Sequence, residues 1–177
     1  MKDREFIIEL LSQQDVVLEI RKNSEELFRV IPELKAMVNF DHCHPHHHLD
    51  VWEHTLLALS YSKNELKIRL ALLLHDLGKP FSYQQDGAVR HYKRHPAKSS
   101  EMCEVILQRL AFERSFIDSI SALISEHDTP MQETEIIENL GFSRDLFEIQ
   151  KCDAMAHNPA YNEKRLSYLK RIAELLS

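Results

Sequence analysis

The chain has 177 residues, 44% hydrophobic and 28% charged, with a formal net charge of −6. That length suits one domain and buries a core without disulfide staples. The acidic balance argues against general DNA binding, because a protein held by phosphate-backbone attraction is usually basic. Three cysteines, Cys43, Cys103 and Cys152, are odd in number and widely spaced, which points to a reducing compartment and no disulfide framework. The start, Met1-Lys2-Asp3-Arg4-Glu5, leads into no sustained apolar run, so a signal peptide is not expected there. The longest apolar stretch, Leu70 to Leu74, is too short to cross a bilayer. The expected location is the cytoplasm, with no membrane partner. The sequence sets no oligomeric state.

Only three glycines and six prolines interrupt the chain, which favours long helices and an all-α fold. Residues 3–30 are expected to form one or two amphipathic helices, with Phe6, Leu10 and Leu11 on one face and Val17, Ile20, Leu27 and Ile31 on another. From Pro32 to Leu49 the periodicity stops, and the histidine-rich segment 39–48 is expected to be a loop. Asp50 is placed to cap a helix over 51–63. Leu66 to Asp76 is apolar on nearly every side and is expected to be a buried central helix ended by Gly78 and Pro80. Residues 80–95, with the turn pair Asp86-Gly87, make a long connection or a short hairpin. Pro96 opens a helix running to about 110. Further helices are expected at 114–127, 132–140, 143–157 and 161–176, with Asn158-Pro159 dividing the last two. Trp52 and Phe81 are assigned to packing.

The doublet His75-Asp76 closes the most apolar stretch of the chain. Placing an imidazole and a carboxylate there costs several kcal/mol unless something compensates both, and a metal ion would. Helical spacing turns other candidates the same way. His54 shares its face with Val51, Leu57 and Ala58. His127 follows Ile120, Leu123 and Ile124, and Asp153 follows Leu146 and Ile149. His95 stands at the mouth of its helix. Taken singly, each is as readily a core histidine or a paired acid. Taken together, one shared metal centre accounts for all of them. Imidazole and carboxylate without thiolate suits Fe, Mn, Zn, Co or Ni, and Asp76 has two oxygens with which to bridge two ions.

These residues carry a family resemblance. The order His54, His75-Asp76, Asp153 is similar to the H…HD…D signature of the HD-domain metal-dependent phosphohydrolases. Asp50-Val51-Trp52-Glu53-His54-Thr55-Leu56 resembles the DVWEHTL stretch of the HD domain of bacterial CCA-adding tRNA nucleotidyltransferases and their stand-alone relatives. His75-Asp76-Leu77-Gly78-Lys79-Pro80 resembles their HDxGKP motif. Asp86-Gly87 through His91-Tyr92-Lys93-Arg94-His95 resembles DxxGxxHFxGH, except that Arg94 stands where a glycine is common. Glu126-His127-Asp128-Thr129-Pro130 and Lys151-Cys152-Asp153-Ala154 complete the series. A chain of 177 residues has no room for a nucleotidyltransferase head beside an HD domain, so nucleotide addition is not expected.

The resemblance implies an HD-domain-like multi-helix bundle with a metal site in its core, as a single domain over 1–177. Within it, 1–45 would be an N-terminal helical extension, 46–157 the metal-binding core and 158–177 a C-terminal helix. His54, His75, Asp76 and Asp153 would hold one divalent ion, and His95 and His127 match the histidines of members that hold two. The implied activity is hydrolysis of a small phosphorylated substrate, a nucleotide, by metal-activated water, as a monoesterase or a diesterase. Asp76, His95, His127 and Lys79 form the expected catalytic set. If one ion binds, His95 or His127 is free to move a proton.

Lys79 either neutralises a substrate phosphate or is a solvated residue after a helix end. Arg90, His91, Lys93 and Arg94 form either an anion funnel or a solvated loop. Within this group Lys79, His91 and Arg94, with Asp128, are the expected substrate contacts. Asp128 either orients His127 or sits on the surface. In the histidine cluster, His42 to His46 are expected to be an adventitious metal-binding surface, with His47 and His48 at the lip of the site. Two other classes stay open: an HD-type di-iron oxygenase and a non-catalytic nucleotide sensor.

Overall fold

Capping residues decide where the helices begin in the computed structural model, which describes residues 2–176. The N-terminal segment forms three helices rather than one or two: α1 (Lys2–Leu11), α2 (Val16–Lys22) and α3 (Ser24–Val30). Asp15 starts α2 by accepting the Leu18 amide at 3.0 Å, and Asn23 closes it with its N–H on the Glu19 carbonyl. Asx side chains compete for nearby amides in this way, so they break helices and cap them. A 3-10 turn over Pro32–Met37 follows.

The histidine-rich segment is a loop, as expected, bridged at its ends by Asp41 and Asp50. Asp50 caps α4 (Val51–Ser60), accepting the Glu53 amide at 2.8 Å. Helix α5 (Leu66–Leu74) is buried from Ile68 to Leu74. It packs against α1, α4, α7, α8 and α10, so the most apolar helix lies at the centre. Past it the chain turns through His75–Gly78 into a single-turn helix, α6 (Lys79–Ser82). Next comes an antiparallel hairpin of β1 (Gln84–Asp86) and β2 (Val89–His91), with Gln84 opposite His91 and Asp86 opposite Val89. Gly87 supplies the positive φ that its turn requires.

Helix α7 (His95–Arg109) opens with Pro96 in its first turn and packs along α8 (Arg114–Glu126). Between them Ala111, at φ 56°, returns its amide to Gln108 while Phe112 reaches Leu107. This is a Schellman end built without the usual glycine. Helices α9 (Glu133–Glu138), α10 (Leu140–Ala156) and α11 (Glu163–Leu175) complete an all-α bundle. Helix α10 starts three residues before its expected position because Asn139 accepts the Phe142 amide at 3.2 Å.

Trp52 is buried against Phe28, with ring centroids 5.3 Å apart. Phe81, assigned to packing, is instead 54% exposed, because α6 is too short to turn both faces inward. Glu53 points to the surface and pairs with Arg21 at 2.6 Å. Among the described residues, no helix is long and apolar enough to cross a membrane.

Candidate metal centre

Five elements bring the six candidate ligands to one place. His54 comes from α4, His75-Asp76 from the end of α5, His95 from the first turn of α7, His127 from the end of α8 and Asp153 from α10. All six are buried.

The imidazoles are oriented by the backbone. Nδ1 of His75, His95 and His127 donates to the carbonyls of Leu72, Tyr92 and Ile124, each at 2.7 Å. A carbonyl can only accept, so Nδ1 carries the proton and Nε2 offers the lone pair in the neutral ring. His54 is braced similarly, with Nδ1 3.3 Å from the Ala156 carbonyl. The four Nε2 atoms converge on two carboxylates. Asp76 Oδ2 lies 3.6 Å from His54 Nε2 and 3.4 Å from His75 Nε2. Its other oxygen, Oδ1, lies 3.2 Å from His95 Nε2 and 3.8 Å from His127 Nε2. Asp153 Oδ1 lies 3.0 Å from His54 Nε2 and 3.5 Å from His75 Nε2.

These donors fit a metal. His95 Nε2 and His127 Nε2 face each other at 3.1 Å, and two lone pairs at that distance repel unless a cation lies between them. A proton would satisfy one such pair, whereas a metal ion satisfies these two atoms and Asp76 Oδ1 at once. His75 Nε2 and both Asp76 oxygens are buried without an aligned hydrogen bond, although the Lys79 ammonium lies 2.7 Å from Oδ2. Donors about 2.1 Å from one ion lie roughly 3.0–3.4 Å from each other at tetrahedral to octahedral angles, close to the spacings found here. Two three-residue sets drawn from these six meet the spacing of a metal site, His54, His75 and Asp153, and His75, Asp76 and His127, and a third, His47, His54 and His157, adjoins them through His54.

The electrostatics follow from burial and charge. Burial drives the carboxyls of Asp76 and Asp153 upward, but the neighbouring imidazoles and the Lys79 ammonium outweigh it and hold both well below the usual range. For Asp76 these are chiefly His75, Lys79 and His95, and for Asp153 His157, His54 and His75. Burial lowers His54 and His127. His75 is buried too, yet the adjoining Asp76 and Asp153 raise it overall.

The centre opens into a cavity of about 440 Å³. His54 and His75 lie beneath it, while Asp76, His95, His127 and Asp153 reach its wall. Of the expected substrate contacts, Lys79, His91 and Asp128 line it. Arg94 does not: it is exposed and precedes α7, while Arg90 and Lys93 face the cavity instead. His91 belongs to β2 and reaches the cavity from the hairpin.

Three residues at the centre carry no signal in the ligand pattern. His157 Nε2 lies 3.4 Å from Asp153 Oδ1, and the i,i+4 spacing from Asp153 is the one hint the sequence holds. Arg165, on α11, spans Asp153 Oδ2 at 3.3 Å, Asp128 Oδ1 at 3.3 Å and the His127 carbonyl at 3.2 Å. His42, expected on an exposed chelating surface, is 1% exposed and stacks on His47 at 3.6 Å. His48 is exposed.

A bundle of helices whose ends deliver H…HD…D to one buried point defines the class. Residues 46–173 match the family described as HD domain, and the chain belongs to that family, the metal-dependent phosphohydrolase superfamily. Among curated proteins it is similar to a CC-adding tRNA nucleotidyltransferase of Thermus thermophilus, 32% identical over 104 residues, or 55% of this chain and 24% of that one. It is also similar to an A-adding tRNA nucleotidyltransferase of Deinococcus radiodurans, 35% identical over 88 residues, covering 46% and 20%. A multifunctional CCA protein of Alkalilimnicola ehrlichii is 36% identical over 99 residues, covering 52% and 23%. The chain thus spans a quarter or less of these relatives' length.

Proposed function

We propose that this protein is a metal-dependent phosphohydrolase acting on a small phosphorylated substrate, a nucleotide. One observation carries the reading. The convergent donors open into a single cavity lined by Lys79, Arg90, Lys93, Lys164 and Arg165, five cationic groups in a chain of net charge −6. Set against the three carboxylates that share the lining, Asp76, Asp128 and Asp153, they leave an excess of positive charge, which favours anions at the site, and nothing in oxygen chemistry requires it.

His54, His75, Asp76 and Asp153 would hold one divalent transition-metal ion, and Asp76, His95 and His127 a second. Bound there, such ions supply an activated water and neutralise charge on a phosphoester. The chain's own groups do the rest. Lys79 takes a phosphate oxygen. Arg90, Lys93 and His91 orient the remainder of the substrate from the hairpin side. Arg165 holds Asp153 and the His127 carbonyl, with Asp128 as its other partner. The buried wall beneath excludes bulk water, which strengthens each of these interactions. The relatives are named for tRNA nucleotidyl transfer, which supports a nucleotide as the recognised unit. Their similarity covers a quarter or less of their length, so nucleotide addition is not carried over.

The test is elemental analysis of protein purified without chelators, joined to a panel of phosphomonoesters and phosphodiesters. The expected content is about two ions per chain, about one in His95→Ala and close to none in Asp76→Ala, which removes the carboxylate common to both sets. Turnover should follow the same order. Metal-free protein that stays metal-free on reconstitution, or loaded protein that turns over no phosphoester, overturns the reading.

A further inference from the structure

Lys79 is a buried lysine with more holders than one carboxylate. It is 4% exposed. Its ammonium lies 2.7 Å from Asp76 Oδ2, 3.4 Å from His42 Nδ1 and 3.5 Å from His47 Nε2. The two imidazoles are parallel, with centroids 3.6 Å apart and planes 18° apart, so one stacked pair presents two nitrogens to one cation. An ammonium can only donate, so Nδ1 of His42 and Nε2 of His47 face it as acceptors.

The loop that carries them is fastened. Tyr92 donates its hydroxyl to the His42 carbonyl at 2.7 Å, and the Arg90 amide donates to the Cys43 carbonyl at 3.0 Å. The Cys43 amide donates to Asp41 at 2.7 Å across a left-handed φ of 46°. Left-handed backbone at a non-glycine residue persists where its surroundings enforce it, as these bonds do.

Asp76 cannot serve every cation equally. Both its oxygens face imidazole donors of the metal centre, and a divalent ion drawing on them would repel an ammonium 2.7 Å away. A buried ammonium that loses its acceptor is costly, and the stacked imidazoles supply the alternative.

We propose that His42 and His47 are positioning residues that hold the Lys79 ammonium at the cavity wall, where a substrate phosphate oxygen receives it. The role rests on the reading of Lys79 as the phosphate-binding cation. It assigns work to two histidines outside the six expected ligands.

The first experiment titrates inorganic phosphate into metal-loaded protein by calorimetry, with metal content measured on each variant. His42→Phe and His47→Phe keep a ring and remove the acceptor. Each is expected to weaken phosphate binding by roughly tenfold or more with metal content unchanged. His42→Asn, which restores an acceptor near Nδ1, and His47→Gln, which restores one near Nε2, should recover most of the loss. In a Lys79→Met background, His42→Phe should have no further effect, since the pair acts through Lys79. An equal loss in that background, or no loss in the single variants, overturns the proposal.

The second experiment does not depend on phosphate. The ¹H–¹⁵N ammonium signal of Lys79, assigned by its absence in Lys79→Met, should be slow to exchange in the wild type. It should vanish in His42→Phe and return in His42→Asn. A wild type without that signal, or a signal indifferent to His42→Phe, overturns the clamp. If loaded wild type binds no phosphate, the phosphohydrolase reading fails, and the ammonium signal alone decides for or against the clamp.

Discussion

Asp76 is one carboxylate between two sets of imidazoles, and the cost of that crowding makes the metal-stripped protein sensitive to acid. His42, His44, His47, His54 and His127 are all held below the ordinary value of 6.5, chiefly by burial. Below that pH the unfolded chain binds protons that the folded chain refuses, so stability falls as pH falls. His75 is raised and works in the opposite sense: its contribution is present below 6.5 and is lost as pH rises through its folded value. Five against one leaves a net loss toward acid, of at most about 1.4 kcal/mol per pH unit for each imidazole. Thermal melts of chelator-treated protein should therefore show a lower Tm at about pH 5.5 than at about pH 7.5, and a flat or rising profile would contradict the buried neutral set. Arg165 offers a second test at this scale. It touches no expected metal donor atom except Asp153 Oδ2, yet it also holds Asp128 and the His127 carbonyl. Arg165→Gln should weaken metal affinity by roughly 10- to 100-fold, as loss of ligand-orienting partners does, while the number of ions at saturation stays the same. Competition against a chromophoric chelator measures this, and an unchanged affinity would show that α11 does not brace the centre.

Between elements, the decisive contact is the crossing of the α5–α6 turn with α7. Gly78 is legible in the sequence as a helix terminator, but its structural duty is closeness. A Cβ there would meet the His95 carbonyl and the Ser99 amide at 2.7 Å each, and its own amide donates to the Ser99 hydroxyl at 2.8 Å. Its φ of −76° is open to any residue, so the constraint is space alone. Gly78→Ala must push the backbone of His95 away from Asp76. The expected cost is about 1–3 kcal/mol, as for other overpacked sites, with a lower metal content because the His95 half of the centre moves. Denaturant unfolding and elemental analysis check both effects, and a variant with wild-type stability and metal would refute the close approach. Periodicity reveals which face of α4, α8 and α10 is apolar. It does not reveal that α7 must begin within contact of the α5 end, because that depends on two segments meeting in space.

At the scale of the molecule, the helices before the histidine loop belong to the same core as the metal centre. Leu11 is fully buried, and the Leu11 carbonyl accepts from the buried guanidinium of Arg69 on α5 at 2.6 Å. We propose that the chain unfolds as one unit rather than as a core with a separable extension over 1–45. Leu11→Ala should then cost about 2–5 kcal/mol, with far-UV dichroism and Trp52 fluorescence changing together; two separated transitions would show an independent extension. His95 joined the centre only through the family resemblance, whereas the all-α class, the approximate helix positions, the polar doublet His75-Asp76 at the end of an apolar helix and the inward turn of His54, His127 and Asp153 were readable from the chain alone. Each follows from local rules: few breakers, a 3.6-residue period, Asx caps, and polar side chains on apolar faces that demand a partner. Other features came only from the tertiary structure: His42 lies inside, Arg94 lies outside the cavity that Arg90 and Lys93 face, and His157 and Arg165 reach Asp153. Those side chains sit on a loop, a hairpin and a distant helix, where no period sets direction. Their positions are set by contacts between residues far apart in the chain, as between Arg165 and Asp128 or between Lys79 and His42.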